Sequence, residues 1–193
     1  MSIPALAVRL TNGSDKEISG CKYDFRKRRK LMILFGKRLS DYTAFCRMFL
    51  IVIPVIGIAR LALSLGGAPN STARWLSMTV MVWIAVIYYS VRVHTSGFGS
   101  YKQLLPIFAL LNLSAQVVAI VGIAIAIFSG NNNVFSSPEF AFGSDGKTWT
   151  HLLAHVFVGT TVGTFLPWLI GSGILAITRK ASASGRKTVA SES

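Results

Sequence analysis

The chain has 193 residues, with 20 Lys and Arg against 7 Asp and Glu, and a formal net charge of +13. Only 14% of its residues are charged, compared with about 25% in soluble domains, which argues against a soluble protein. The basic excess does not indicate a nucleic-acid partner, because Lys and Arg concentrate at the two ends of the chain and are almost absent from the long apolar stretches between them.

The first predicted element is a basic amphipathic helix within an N-terminal segment, residues 1–44. Five consecutive basic residues, Arg26, Lys27, Arg28, Arg29 and Lys30, are followed by apolar residues at helical spacing, namely Leu31, Leu34, Phe35, Leu39 and Tyr42. Cations on such a helix are attracted to anionic lipids by about 1 kcal/mol each. We therefore predict that this segment lies on a membrane surface that contains anionic lipids.

Residues 45–178 are predicted to form a bundle of four transmembrane helices. The four apolar segments are Met48–Leu65, Trp75–Val91, Leu104–Phe128 and His151–Thr178. Each is long enough to cross or nearly cross a hydrocarbon core of about 30 Å at about 1.5 Å per residue. The bilayer core requires backbone hydrogen bonds within the chain, and the segments show no strand-like alternation, so they should be helices. The predicted fold class is an all-α, polytopic membrane protein.

The basic residues near the span ends predict the orientation. They lie in the N-terminal segment, in the connection 92–103 and in the tail, whereas the other two connections hold only Arg74 and Lys147. Positively charged flanks resist translocation, so we expect both termini on the cytoplasmic face. The tail, residues 179–193, is small, polar and basic, and we predict that it is disordered.

The connection 129–149 is the one long loop expected on the outer face. Loops of this length are uncommon unless they are functional or disordered. It contains Phe135, Phe140 and Phe142, which are apolar enough either to lie on the bundle or a partner, or to anchor the loop at the membrane interface.

His151 and His155 are four residues apart near the outer end of the last span, so a helix places both on one face. This spacing is compatible with shared binding of a divalent metal or with haem ligation. The sequence THLLAH lacks the glutamate of a helical zinc protease. The third histidine, His94, lies at the end of the second span that is expected on the cytoplasmic side, away from His151 and His155. The alternative is that both rings are interfacial side chains that form hydrogen bonds between helices.

Arg60 is the one charged residue well inside a predicted span. A charge at this depth is by default a functional hypothesis, although the side chain could also extend to the outer interface. Gln116 should lie near the same depth, and Asn112 is one helical turn away on the same face. The three residues could therefore form an interior polar seam.

Gly159 and Gly163 form a GxxxG motif in the last span, which allows another helix to approach closely. Pro167 lies four residues after Gly163, and a proline inside a helix removes the hydrogen bond to that carbonyl and favours a kink.

No set of catalytic residues is evident, so we expect a non-enzymatic protein. The leading interpretation is an accessory, structural or assembly subunit of a larger membrane complex, with other membrane subunits as partners. One alternative is a haem- or metal-binding redox subunit that uses His151 and His155. The other is a small transporter or channel that uses Arg60, Asn112 and Gln116.

Overall fold

The computed structural model describes residues 33–73, 75–141 and 145–192. These residues fall into two units that divide between Leu39 and Ser40. The first unit contains a short β-hairpin, and the second contains the long helices.

In the hairpin, β1 (Ile33–Leu34) pairs antiparallel with β2 (Lys37–Arg38). Phe35 and Gly36 connect the strands with φ angles of 49° and 82°, and two positive φ angles are characteristic of a type I′ hairpin turn. Because glycine adopts this conformation easily and disfavours helix, the predicted amphipathic helix does not continue through these residues. The basic cluster Arg26–Lys30 lies outside the described residues, so its contact with anionic lipid stays a prediction.

Four helical spans in the second unit are long and apolar enough to cross a membrane, as predicted. In chain order, the helices are α1 (Leu39–Leu65), α2 (Asn70–Ala73), α3 (Met78–Thr95), α4 (Tyr101–Ser129), a 3-10 helix (Pro138–Phe140), α5 (Trp149–Ala154), a π-helical segment (His155–Gly159) and α6 (Thr160–Glu192). The last span combines α5, the π-helical segment and the first part of α6. The prediction of an all-α bundle with four transmembrane helices is confirmed.

Polar residues in the connections set several of the helix ends. The Ser77 hydroxyl accepts a hydrogen bond from the Val80 amide at 3.4 Å at the start of α3, and the Thr148 hydroxyl accepts one from the His151 amide at 3.2 Å at the start of α5. Gly130 ends α4 with a φ of 73°. Side-chain acceptors at the first turn and a left-handed glycine after the last turn are the preferred caps of helices.

Aromatic side chains pack together at the end of the bundle that carries Arg92 and Arg179, which we call the basic end. Phe45 of α1 stacks on Phe98, with ring centroids 4.0 Å apart. The guanidinium of Arg92 lies 5.2 Å from the Phe45 ring, and that of Arg179 lies 4.7 Å from the Tyr101 ring. Cation–π contacts of this kind hold the basic side chains at this end of the helices.

α6 packs against both α3 and α4, and at Gly171 it lies close to both of them. A Cβ atom at Gly171 would lie 2.6 Å from the Phe108 ring and 2.7 Å from the Ser90 hydroxyl. The absence of a side chain therefore lets three helices meet in the half of the bundle near the basic end.

The end of α6 differs from the predicted disordered tail. The helix continues to Glu192, and His94 Nε2 lies 3.2 Å from the Ser182 hydroxyl. Alanine, lysine and arginine, which occur in this segment, have high helix propensity, and a helix that has already formed extends at little cost.

Candidate functional site

A cavity of about 400 Å³ lies between the spans near the end of the bundle formed by the connection 129–149, which we call the loop end. All four spans contribute to its wall, and the connection contributes Val134 and Phe135. Its volume falls within the range of small-molecule pockets. The polar side chains of the wall are Arg60, Thr79, Asn112, Gln116 and His155.

The three residues of the predicted polar seam therefore line the same cavity. Arg60 belongs to α1, whereas Asn112 and Gln116 belong to α4. His155, which the sequence suggested either as half of a ligand pair or as an interfacial side chain bonded between helices, lies on the same wall. The functional role of these residues stays a prediction.

Asn112 connects α4 to the last span. Its side-chain nitrogen donates hydrogen bonds to the carbonyl oxygens of Gly159 at 3.2 Å and Thr160 at 3.0 Å, and to the Thr164 hydroxyl at 3.2 Å. Asn112 is only 4% exposed. Because backbone carbonyls can only accept hydrogen bonds, the orientation of the Asn112 amide is fixed, with Oδ1 directed away from them.

This orientation determines the direction of the next two hydrogen bonds. Gln116 Nε2 donates to Asn112 Oδ1 across 3.4 Å, so the oxygen of Gln116 is left to face His155. His155 Nδ1 lies 2.8 Å from that oxygen and must carry a proton to form the hydrogen bond. In a neutral histidine the other nitrogen, Nε2, is then an acceptor.

The π-helical segment presents backbone groups to this network. The Gly159 carbonyl closes the segment and the Thr160 carbonyl follows it, and both accept from Asn112. The Thr160 hydroxyl donates to the His155 carbonyl at 3.3 Å. Valine and glycine residues in the segment, His-Val-Phe-Val-Gly, have low helix propensity. Short π-helical segments are often found at functional sites.

The two glycines of the GxxxG motif face the two amides of α4. A Cβ atom at Gly159 would lie 2.9 Å from Gln116 Nε2, and one at Gly163 would lie 2.5 Å from Asn112 Oδ1. The glycines thus make room for polar side chains in the interface between two spans.

Residues 133–135 of the connection 129–149 cover the cavity at the loop end. Asn133 Nδ2 donates to the Gly122 carbonyl at 2.6 Å, and the Val134 amide donates to the Ser64 hydroxyl at 2.8 Å. These bonds hold the connection against α4 and α1. Within the described residues it therefore lies on the bundle, the first of the two alternatives for the loop.

Phe135 occupies the space beneath this cover. It is 9% exposed, and a Cβ atom at Gly122 would overlap its ring. The Arg60 guanidinium lies 5.7 Å from the ring centroid, which is within the range of a cation–π contact. Phe142 and the side chain of Phe140 are outside the described residues.

Some residues of α3 and α6 that line the cavity are also exposed on the surface of the bundle. Val162 and Leu166 line the cavity and are 52% and 45% exposed, and Thr79 on the facing edge is exposed as well.

His151 lies next to His155, with ring centroids 5.0 Å apart, as their spacing predicted. Its Nε2 atom is buried and has no hydrogen-bond partner among the described residues. Within residues 33–73, 75–141 and 145–192, no three His, Cys, Asp or Glu residues are grouped to hold a metal ion. Binding of a metal or haem by this pair stays a prediction.

The sequence did not identify Gln116 as the partner of His155, and it left open whether Phe135 lies on the bundle. One signal was available for the first of these. Asn112 and Gln116 are four residues apart, as are Gly159 and Gly163, and antiparallel helices can align two such pairs.

In comparisons with known proteins, no family model matches the chain, and neither a curated protein nor a solved structure is significantly similar to it.

Proposed function

We propose that this integral membrane protein is non-enzymatic and binds an amphiphilic molecule of the membrane in the cavity. The observation that carries the proposal is the cavity wall itself, which is polar at Arg60, Gln116 and His155 and exposed at the apolar Val162 and Leu166. A ligand with a polar head and an apolar tail would match both parts. Its tail would leave between α3 and α6, where acyl chains surround the protein.

Binding is favoured over a transport path because of the packing at the other end of the bundle. Ser90, Phe108 and Gly171 fill the space between α3, α4 and α6 on the side of the basic end. These contacts lie between the polar seam and the basic end, so a solute path would need the contacts at Gly171 to separate.

The role as an accessory or assembly subunit stays a prediction that is compatible with ligand binding. Large apolar side chains are exposed on the outer faces of the helices, among them Ile51 and Phe157 at 62% and 66%. Lipid covers such a face as well as a partner subunit does, so the exposed face alone does not specify a partner.

Filling the cavity should displace the ligand. Ala115 lines the wall, and Ala115→Phe would place a ring in the space that the proposal assigns to the amphiphile. The matched control is Ala62→Phe, because Ala62 is exposed on α1. Molecules extracted from each purified protein would be identified by mass spectrometry. We expect one amphiphile enriched over the surrounding lipid in the wild type and the control, and reduced by about tenfold in Ala115→Phe, equivalent to 1.4 kcal/mol.

The proposal fails if the wild type carries no amphiphile above its level in the surrounding membrane. It also fails if Ala115→Phe retains a folded bundle and the same amount of ligand. A melting curve for each variant separates loss of ligand from loss of fold.

A further inference from the structure

We propose that residues 133–137 of the connection 129–149, which we call the lid segment, open at the loop end as one body and admit polar groups from water to the cavity. Such a lid would control access for any molecule that enters the cavity, whatever its chemical class, and so goes beyond ligand binding itself. The features that support it are the closed neck of the connection, the internal bonding of the lid segment and the way in which the segment is attached to the spans.

The neck of the connection is closed by contacts between its two ends. The Lys147 ammonium donates a hydrogen bond to the Gly130 carbonyl at 3.1 Å. The rings of Phe128 and Trp149 meet edge to face, with centroids 6.0 Å apart. Because these contacts hold both ends of the connection, the lid segment can move without separation of the two helices that it joins.

The lid segment is the buried part of an otherwise exposed stretch. Residues 133–137 are each at most 9% exposed, whereas residues 131–132 and 138–139 on either side are exposed. Exposed backbone with few packing contacts is the part of a structure that opens most easily. Changes of backbone angle in these flanks would lift the segment, as they do in other protein lids.

Asn133 bonds the lid segment into a single body. Its carbonyl accepts hydrogen bonds from the Ser136 amide at 3.0 Å and the Ser137 amide at 2.9 Å, and its side-chain oxygen accepts one from the Phe135 amide at 2.9 Å. The Ser136 hydroxyl accepts one from the Asn133 amide at 3.0 Å. All of these bonds lie within the segment and are kept when it moves. Loops that pack on themselves in this way are frequently functional.

Hydrogen bonds to two spans hold the lid segment closed. The Val134 amide donates to the Ser64 hydroxyl of α1 at 2.8 Å, and Asn133 Nδ2 donates to the Gly122 carbonyl of α4 at 2.6 Å. When the segment lifts, water can replace these partners. Each bond therefore holds the lid by a small net free energy, which is the balance that a reversible lid needs.

Phe135 is the side chain with which the lid segment closes the cavity. It lines the cavity together with Val134. Its ring packs against Gly122, where a Cβ atom would overlap it, and the Arg60 guanidinium lies 5.7 Å from the ring centroid. A side chain at position 122 is incompatible with the closed position of the ring, so Gly122→Ala should favour the open lid.

The reaction rate of a cavity thiol measures the opening. Ala119 lines the cavity and is 5% exposed, so Ala119→Cys, in a protein whose Cys21 and Cys46 are replaced, provides the reporter. The full-length protein in lipid nanodiscs would be treated with a methanethiosulfonate whose sulfonate keeps it out of the bilayer. A second reporter, Ala85→Cys, detects unfolding, because Ala85 is fully buried and lies outside the cavity wall.

We expect slow modification at position 119 when Ser64, Gly122 and Phe135 are intact. In Phe135→Ala, Gly122→Ala and Ser64→Ala the rate should rise about tenfold, because loss of one such contact raises the open population by about that factor. Position 85 should stay protected in every variant.

Two matched controls should leave the rate at position 119 unchanged. Phe157→Ala removes a ring that is 66% exposed and lies outside the cavity wall. Gly173→Ala adds a methyl group where a Cβ would meet nothing within 4 Å.

Equal rates at position 119 in the wild type and the three lid variants would refute the lid, since the segment would not limit access. Wild-type modification as fast as at the exposed Asn132 would refute it too, because the cavity would be open without any movement. Joint loss of protection at positions 119 and 85 in every variant would make the segment a structural part of the bundle instead. The amphiphile takes no part in these measurements, so a refuted lid leaves the proposed function standing, and a protein without bound amphiphile leaves the lid standing.

Discussion

Gly163 makes room for a buried polar side chain between two helices of the bundle. It has no side chain, so Asn112 can fit between α4 and the last span and reach the carbonyl groups that it binds. A buried amide that loses such partners costs about 1 to 3 kcal/mol. The glycine and the amide therefore form one structural unit.

Gly163→Ala should destabilise the bundle because its Cβ would lie 2.5 Å from Asn112 Oδ1. Overpacking of this kind costs about 1 to 3 kcal/mol. The matched control is Gly173→Ala on the same helix, where a Cβ would meet nothing within 4 Å and alanine improves helix propensity by up to about 1 kcal/mol. The free energies of unfolding of the two variants and the wild type would be measured in mixed micelles. Equal stability of the two variants would contradict this account.

At the residue scale, the sequence was sufficient to select Arg60, Asn112 and Gln116, because polar side chains inside apolar spans are rare and depth follows from counting residues. It was not sufficient to assign His155 to them. The choice between an interfacial histidine and a cavity histidine depends on how α4 and the last span align, and a single span carries no information on that alignment.

At the scale of elements, residues 133–135 of the connection 129–149 form a folded cover. The side-chain oxygen of Asn133 accepts a hydrogen bond from the Phe135 amide at 2.9 Å. Its side-chain nitrogen donates one to the Gly122 carbonyl at 2.6 Å. One buried side chain thus shapes the turn and attaches it to α4. Loops of about twenty residues in compact proteins are often functional, and this cover defines the loop end of the cavity.

Asn133→Ala should release the cover while the helices remain folded. Both hydrogen bonds would be lost, with a local cost of about 1 to 3 kcal/mol. We expect hydrogen exchange at the Val134 and Phe135 amides to become about tenfold faster for each 1.4 kcal/mol lost. Asn132→Ala is the matched control because Asn132 is exposed. Unchanged exchange in Asn133→Ala would show that other contacts hold the connection in place.

The helical spans were predictable because the bilayer requires about 20 apolar residues for each. The smaller elements were not. The turn at Phe35 and Gly36 depends on local φ angles within a segment that also has helical periodicity. The π-helical segment His155–Gly159 is stabilised by its contacts with α4, and the hydropathy of the last span gives no indication of it.

At the scale of the whole molecule, the bundle has an apolar exterior and a polar interior near one end. In the last span, only 11% of the most apolar window is buried inside the protein, and the remaining side chains are exposed or half-buried. This arrangement suits a protein surrounded by lipid, whose few polar groups are reserved for internal contacts and the cavity wall. A partner subunit could cover the same exterior without changing the cavity.

The distribution of charges predicts the orientation of the whole molecule in the membrane. The basic end carries Arg92, Arg179 and other basic flanks, whereas the described part of the connection 129–149 carries Lys147 as its one basic residue. Since positively charged flanks remain on the cytoplasmic side, we expect the cavity to lie towards the outer face of the membrane.

Cysteine labelling in intact cells tests this orientation. The background replaces Cys21 and Cys46, and single cysteines are introduced at Asn132, Ser96 and Ala183, each of which is exposed. A maleimide that cannot cross the membrane should label position 132 at once, and the other two only after permeabilisation, because positions 96 and 183 lie at the basic end. Labelling of 96 and 183 in intact cells, with 132 protected, would invert the topology and place the cavity opening in the cytoplasmic half of the membrane.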